Sequence, residues 1–133
     1  ADTQVPILIP GQPVNGDTRA ALDDDHGACG LVSGANGETS PDVVYRFTLL
    51  QPQSVKVTVT PDATTGALFR PVVYVRAPNA CASSAAADTL GCAAATNYAD
   101  PVVLNLGPLP GGTYSVWVDG AGLSSGSFSI RLQ

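Results

Sequence analysis

The stretch Gly111 to Gln133, GGTYSVWVDGAGLSSGSFSIRLQ, constrains the fold more than any other part of the chain. Tyr114, Val116 and Val118 alternate with polar or exposed-looking positions, Gly120 to Gly126 supply a turn, and Phe128, Ile130 and Leu132 alternate with Ser127, Ser129 and Arg131. A period of two marks strands with one apolar face, and two such runs around a glycine-rich turn predict a β-hairpin. An isolated ribbon is marginal in water, so the rest of the chain has to cover that face.

The remaining sequence is suited to the task. The 14 glycines and 11 prolines among 133 residues punctuate the chain too often for long helices. A domain of this length buries roughly two-thirds of its unfolded surface, enough for an ordinary core without a metal or a disulfide. Six basic against eleven acidic side chains give a formal charge of −5, and there is no Lys/Arg run. A surface that tracks nucleic-acid phosphates is therefore not expected. The apolar run VPILIP is far too short to span a bilayer.

In chain order, residues 1–16 form an N-terminal arm or edge strand, and residues 17–133 a single β-sandwich domain. Asp17 to Ser40 is loop-like, with a short strand at Thr18 to Leu22 and a turn at Asp23, Asp24 and Asp25. Val43, Tyr45, Phe47 and Leu49 then alternate with Val44, Arg46 and Thr48. Val55, Val57 and Val59 point inward and Lys56, Thr58 and Thr60 outward, so these two runs are expected to pair as a hairpin across Pro52. Pro71 to Arg76 (PVVYVR) is apolar on both faces and reads as a central or covered strand. An Ala/Ser-rich connection follows, with a short strand near Thr89 to Ala93; Pro101 to Leu106 and the terminal pair complete the set. Seven to nine short strands with turns between them predict an antiparallel, jelly-roll-like β-sandwich.

Three cysteines lack metal-ligand spacing, so one disulfide and one odd thiol are expected. Cys81 and Cys92 share one connection, and a bridge closing that loop would contribute roughly 2–3 kcal/mol. Cys29 is then the odd one: it stays free, competes for Cys81 or Cys92, or joins another chain. The strand-rich, Lys-poor, Ser/Thr/Gly-rich composition favours an oxidising compartment.

The succession PDVVYRFTL, VKVTVT, PVVYVR, Cys81, Leu90 to Cys92, LGPLPGGTYSVWVDG and SGSFSIRL resembles the bacterial pre-peptidase C-terminal (PPC) domain, particularly its myxobacterial secreted forms. The likeness runs over about residues 15 to 132, and its most specific parts are Asp42 to Phe47 and Pro110 to Gly120. It implies a jelly-roll-like β-sandwich appended to exported enzymes and surface proteins and itself non-catalytic. Relatives in clostridial collagenases resemble calcium-stabilised collagen-binding modules. The acidic pair they carry before the aromatic strand is replaced here by Gly37, Glu38, Thr39 and Ser40, with Asp42 retained.

Four carboxylates are the candidate metal ligands. Asp23, Asp24, Asp25 and Asp42, with Asp17 and Glu38 nearby in sequence, supply oxygen donors of the kind a calcium ion gathers, although their spacing is not that of an EF-hand; a solvated acidic turn is the alternative. Gly122, Ser124 and Gly126 match Gly-x-Ser-x-Gly, but they lie in a turn between two strands, and the single histidine, His26, belongs to another loop. A nucleophile elbow needs a strand-to-helix turn and a base within reach, so no catalytic residue is assigned. Trp117 points away from Val116 and Val118, onto a face expected to be shared with Ser115, Asp119, Ser129 and Arg131. Trp117 and Arg131 are accordingly the candidate ligand-binding residues, an indole among polar groups being suited to stacking on a sugar or peptide. The competing expectation is that the N-terminal arm, with Val5, Ile7 and Ile9, or a neighbouring loop covers the indole. The function implied by the resemblance is adhesion, or targeting to an extracellular protein or polysaccharide, by a secreted or surface-displayed bacterial protein. The alternative is a passive structural or export domain whose partner is the remainder of its own polypeptide.

Overall fold

A computed structural model describes residues 6–18, 43–62, 69–78, 89–97, 99–120 and 126–133. These contain eight strands: β1 (Val14–Asp17), β2 (Val43–Leu49), β3 (Gln53–Pro61), β4 (Pro71–Arg76), β5 (Thr89–Ala94), β6 (Val102–Leu109), β7 (Gly112–Gly120) and β8 (Ser127–Leu132). They make two antiparallel four-stranded sheets: sheet I, ordered β1-β8-β3-β6, and sheet II, ordered β2-β7-β4-β5. The architecture is the all-β sandwich that the alternating runs predict.

The inward faces follow the period-two pattern. Val55, Val57 and Val59 of β3, Val116 and Val118 of β7, and Phe128, Ile130 and Leu132 of β8 are all buried in one core cluster. Phe47 stacks on Tyr114 with ring centroids 5.3 Å apart, and Phe128 meets Tyr45 edge-on at 6.4 Å and Phe69 at 6.0 Å. Such pairs add about 0.5–1.5 kcal/mol each beyond the area they bury. PVVYVR lies, as expected, between two neighbours, β7 and β5, with all six residues buried.

Two expected hairpins are not hairpins. β2 and β3 lie in different sheets, and so do β7 and β8. β2 pairs instead with β7, from Val43↔Val118 to Leu49↔Gly112, while β8 lies between β1 and β3. A chain reversal after an alternating strand can either pair the next strand beside it or carry it across to the opposite sheet. The alternation is the same in both cases, because either route buries the same face. Among the described strands only β4 and β5 are consecutive in sequence and adjacent in a sheet.

The N-terminal segment links the two sheets. Arg46 N donates to Pro6 O and Leu8 N donates to Arg46 O, which lays residues 6–8 along the outer edge of β2 in sheet II. Gly11, at φ +84°, turns the chain so that its N–H reaches Leu132 O, and β1 continues along β8 as the edge of sheet I. Residues 6–8 thus run as an arm along β2, and Val14 to Asp17 form an edge strand. Among the described arm residues Leu8 is buried and Ile7 and Ile9 are exposed. At the other end of β1, Thr18 N donates to Gly126 O and Gly126 N donates to Thr18 Oγ1, joining β1 to the start of β8. The short strand expected at Thr18 to Leu22 falls almost entirely outside the described residues.

Gly16 lies where β1 crosses the core aromatics. A Cβ there would come within 2.5 Å of the Phe128 ring and closer still to the Tyr45 hydroxyl. Gly16→Ala is therefore expected to cost about 1–3 kcal/mol through overpacking, read as a lower urea midpoint with an unchanged slope. A midpoint equal to the parent's would show that the rings yield freely. Burial also pushes the Tyr45 phenol from its ordinary 10.0 up to about 12. Because the folded protein holds this proton more tightly than the unfolded chain, the associated stability is complete below pH 10 and disappears as pH rises through 12. Unfolding free energy is thus expected to fall by about 2–3 kcal/mol across that window, and Tyr45→Phe should remove this part of the loss.

Candidate functional site

The two sheets turn very different faces away from the core. On sheet II the register sets Val44, Trp117, Tyr74 and Cys92 in one row across four strands. A second row holds Arg46, Ser115 and Arg76, and a third Asp119, Val72 and Ala94. Trp117 and Tyr74 stack with centroids 6.2 Å apart and planes inclined by 10°, and the Arg76 guanidinium stands 4.9 Å from the Tyr74 ring centroid. Asp119 Oδ1 accepts from Gly120 N at 2.8 Å, the turn-capping role normal for Asp before Gly. Val72, Tyr74, Arg76, Ser115 and Asp119 are buried, and Trp117 is only 6% exposed.

Trp117 therefore faces away from Val116 and Val118 as the alternation predicts, but it presents no open stacking surface. Of the arm residues expected to cover it, Ile7 and Ile9 are 57% and 52% exposed and Val5 lies outside the described residues. Arg131 does not share its face. Arg131 lies on β8 in sheet I and Trp117 on β7 in sheet II, so the two candidate ligand-binding residues are on opposite outer faces of the sandwich. The expected common face depended on β7 and β8 being paired, and they are not.

The outer face of sheet I is open. Its rows run Asp17 to Ser127; Asn15, Ser129 and Thr60; Arg131, Thr58 and Val103; and Lys56 beside Asn105. Asn15, Lys56, Thr60, Asn105 and Arg131 are exposed, and Thr58, Ser127 and Ser129 half-buried. A hollow of ≈ 260 Å³ opens among Asn15, Thr60, Asp62, Ser127 and Ser129. Another of ≈ 450 Å³ opens at the opposite end, beside Lys56, Asn105 and Gly107. Hydroxyls and carboxamides both donate and accept, so such a face can follow a polar, hydroxylated ligand by hydrogen bonding. The outward position of Lys56, Thr58 and Thr60 was legible from alternation. Their association with Asn15, Ser129 and Asn105 was not, because those residues come from strands distant in sequence.

Among the described residues no three His, Cys, Asp or Glu side chains gather into a metal site. Asp23, Asp24, Asp25, Asp42, Cys29, Cys81, His26, Gly122 and Ser124 all lie outside the described residues. No helix among the described residues is long and apolar enough to cross a membrane.

No family model and no curated protein matches the sequence. Solved structures do match in fold. The pre-peptidase C-terminal domain of a collagenase from Bacillus anthracis superposes with a TM-score of 0.60 at 11% identity, covering 100% of this chain and 98% of that one. CorA, a surface-associated copper-binding protein of Methylomicrobium album BG8, superposes with a TM-score of 0.50 at 10% identity, over 96% of each chain. The chain thus has the fold of a pre-peptidase C-terminal domain, as its strand landmarks imply.

The buried indole can be tested directly, since Trp117 is the sole tryptophan. Native emission is expected to be blue-shifted and poorly quenched by acrylamide, and Trp117→Ala to cost about 3–5 kcal/mol. Strong quenching together with an unchanged denaturation midpoint would place the indole in solvent.

Proposed function

We propose that this chain is a non-catalytic accessory module of a secreted or surface-displayed bacterial protein, and that it attaches its polypeptide to an extracellular polymer. The observation that carries this reading is the contrast between the outer faces: the centre of sheet II, around Trp117, Tyr74 and Arg76, is buried, whereas sheet I presents an open array of hydroxyl, amide and cationic side chains. A folding or export domain acting only within its own polypeptide has no need of such a face. The fold shared with a pre-peptidase C-terminal domain and with a surface-associated protein is consistent with an extracellular setting. So is Cys92, which is disulfide-bonded; bridges of this kind persist in oxidising compartments. Cys81 is its proposed partner, since it lies in the connection that leads from β4 into β5, the strand that carries Cys92.

The reading predicts retention on at least one immobilised extracellular polymer in a panel of collagen, cellulose, chitin and acidic polysaccharide. Thr60→Ala combined with Asn105→Ala, both exposed, is expected to weaken that retention several-fold with little change in melting temperature. If the parent protein is retained on none of the polymers, the targeting role fails and the passive structural domain takes its place.

A further inference from the structure

The cations on the open face narrow the class of polymer, an inference that rests on the targeting reading above. The chain is acidic, at −5, with one lysine and five arginines. Among the described residues, Arg76 is buried, Arg46 and Arg70 are half-buried, and the exposed cations are Lys56 and Arg131. Both lie on the outer face of sheet I. Arg131 on β8 is directly opposite Thr58 on β3, and Lys56 precedes Thr58 by two residues on the same face. They are thus diagonal cross-strand neighbours, about 7–8 Å apart at the backbone and within reach of one another through their long side chains. Two like charges at that separation repel, and neither has a salt-bridge partner among the described residues. Placing the scarce exposed cations side by side is unfavourable in the free protein and favourable once an anionic group lies between them.

The surroundings specify what else the ligand must be. Thr58, Thr60, Ser129, Asn15 and Asn105 extend the face with groups that exchange hydrogen bonds with sugar hydroxyls. Among the described residues the face carries no exposed aromatic ring on which a nucleobase could stack. A protein partner would favour a central apolar or aromatic anchor, whereas among the described residues the exposed large apolar side chain on this face is Val103 alone. Asp17 and Asp62 border the far end of the face, away from Lys56 and Arg131.

We infer that the outer face of sheet I docks an acidic polysaccharide, with Lys56 and Arg131 together holding its carboxylate or sulfate groups and the hydroxyl and amide rows holding its ring hydroxyls. The test measures retention of the whole chain on polygalacturonate, on the same polymer with its carboxylates methyl-esterified, on cellulose and on collagen. Retention on polygalacturonate is expected, falling with added salt, and about tenfold or more weaker for Lys56→Gln/Arg131→Gln, whose melting temperature should match the parent's because both residues are exposed. Equal retention of the double variant, or equal retention on the esterified polymer, overturns the cation assignment. Retention confined to cellulose or collagen overturns the acidic class while leaving the targeting reading intact. Retention on nothing removes both.

Discussion

A strand whose side chains alternate between apolar and polar has to rest its apolar face against something, and in this chain nearly every strand rests it against a sheet containing its sequence neighbour. The run β1, β2, β3, β4 alternates between sheets I and II, and β5, β6, β7, β8 does so again. Consecutive strands therefore oppose one another across the core, and the hydrogen-bonded ladders join residues far apart in sequence, as in Val14↔Ile130 and Tyr45↔Val116. The core and the ladders are consequently interdependent. Val57 cannot be buried without the register that sets it beside Leu104 and Leu132, and that register has no local turn to impose it. Non-local pairing of this sort gives slow, cooperative folding, because loop-closure entropy is lost before most contacts form.

That dependence explains what could be read from residues alone. The inward sets Val55, Val57, Val59 and Phe128, Ile130, Leu132 were legible, since the period of two needs only one strand and one buried face. So was the central position of PVVYVR, apolar on both sides. Strand partners were not legible. A hairpin and a crossing between sheets leave identical alternation in β7 and β8, and the difference lies in contacts with β4, β2, β1 and β3. The same limit governed the site. The direction of Trp117 within its own strand was correct, but its companionship with Arg131 presupposed a ladder that does not exist, and its burial depends on packing beyond the strand. The open face was half-legible: Lys56, Thr58 and Thr60 are visible as an outward stripe, whereas Asn15, Ser129 and Asn105 join them only through pairings no local pattern encodes.

The segment that crosses between the sheets has a consequence for the open face. β1 is four residues long, yet it is the strand that extends β8 with Asn15 and Asp17. It is secured at one end by Gly11 on Leu132 and at the other by the paired hydrogen bonds of Thr18 and Gly126. Between them Gly16 lets the strand settle onto the Tyr45 and Phe128 rings. A side chain at that position would lift β1 from the core and move Asn15 relative to Ser129, so packing inside the sandwich sets the geometry outside it.

The distribution of aromatic and charged residues between the two outer faces then decides what kind of recognition is physically available. Stacking on a ligand requires an accessible ring, and the indole on an outer face is already stacked on Tyr74 and buried. Apolar affinity requires an exposed apolar area, and the open face has little beyond Val103. What remains there is hydrogen bonding, each bond exchanged against water for a small net gain, and charge, screened over about 10 Å at ordinary salt. Neither gives high affinity from a single contact. A surface of this kind is effective against a repetitive partner, where many weak, similar contacts recur along one chain and rebinding offsets dissociation. The proposed tethering of a polypeptide to a polymer therefore matches the energetics of the open sheet.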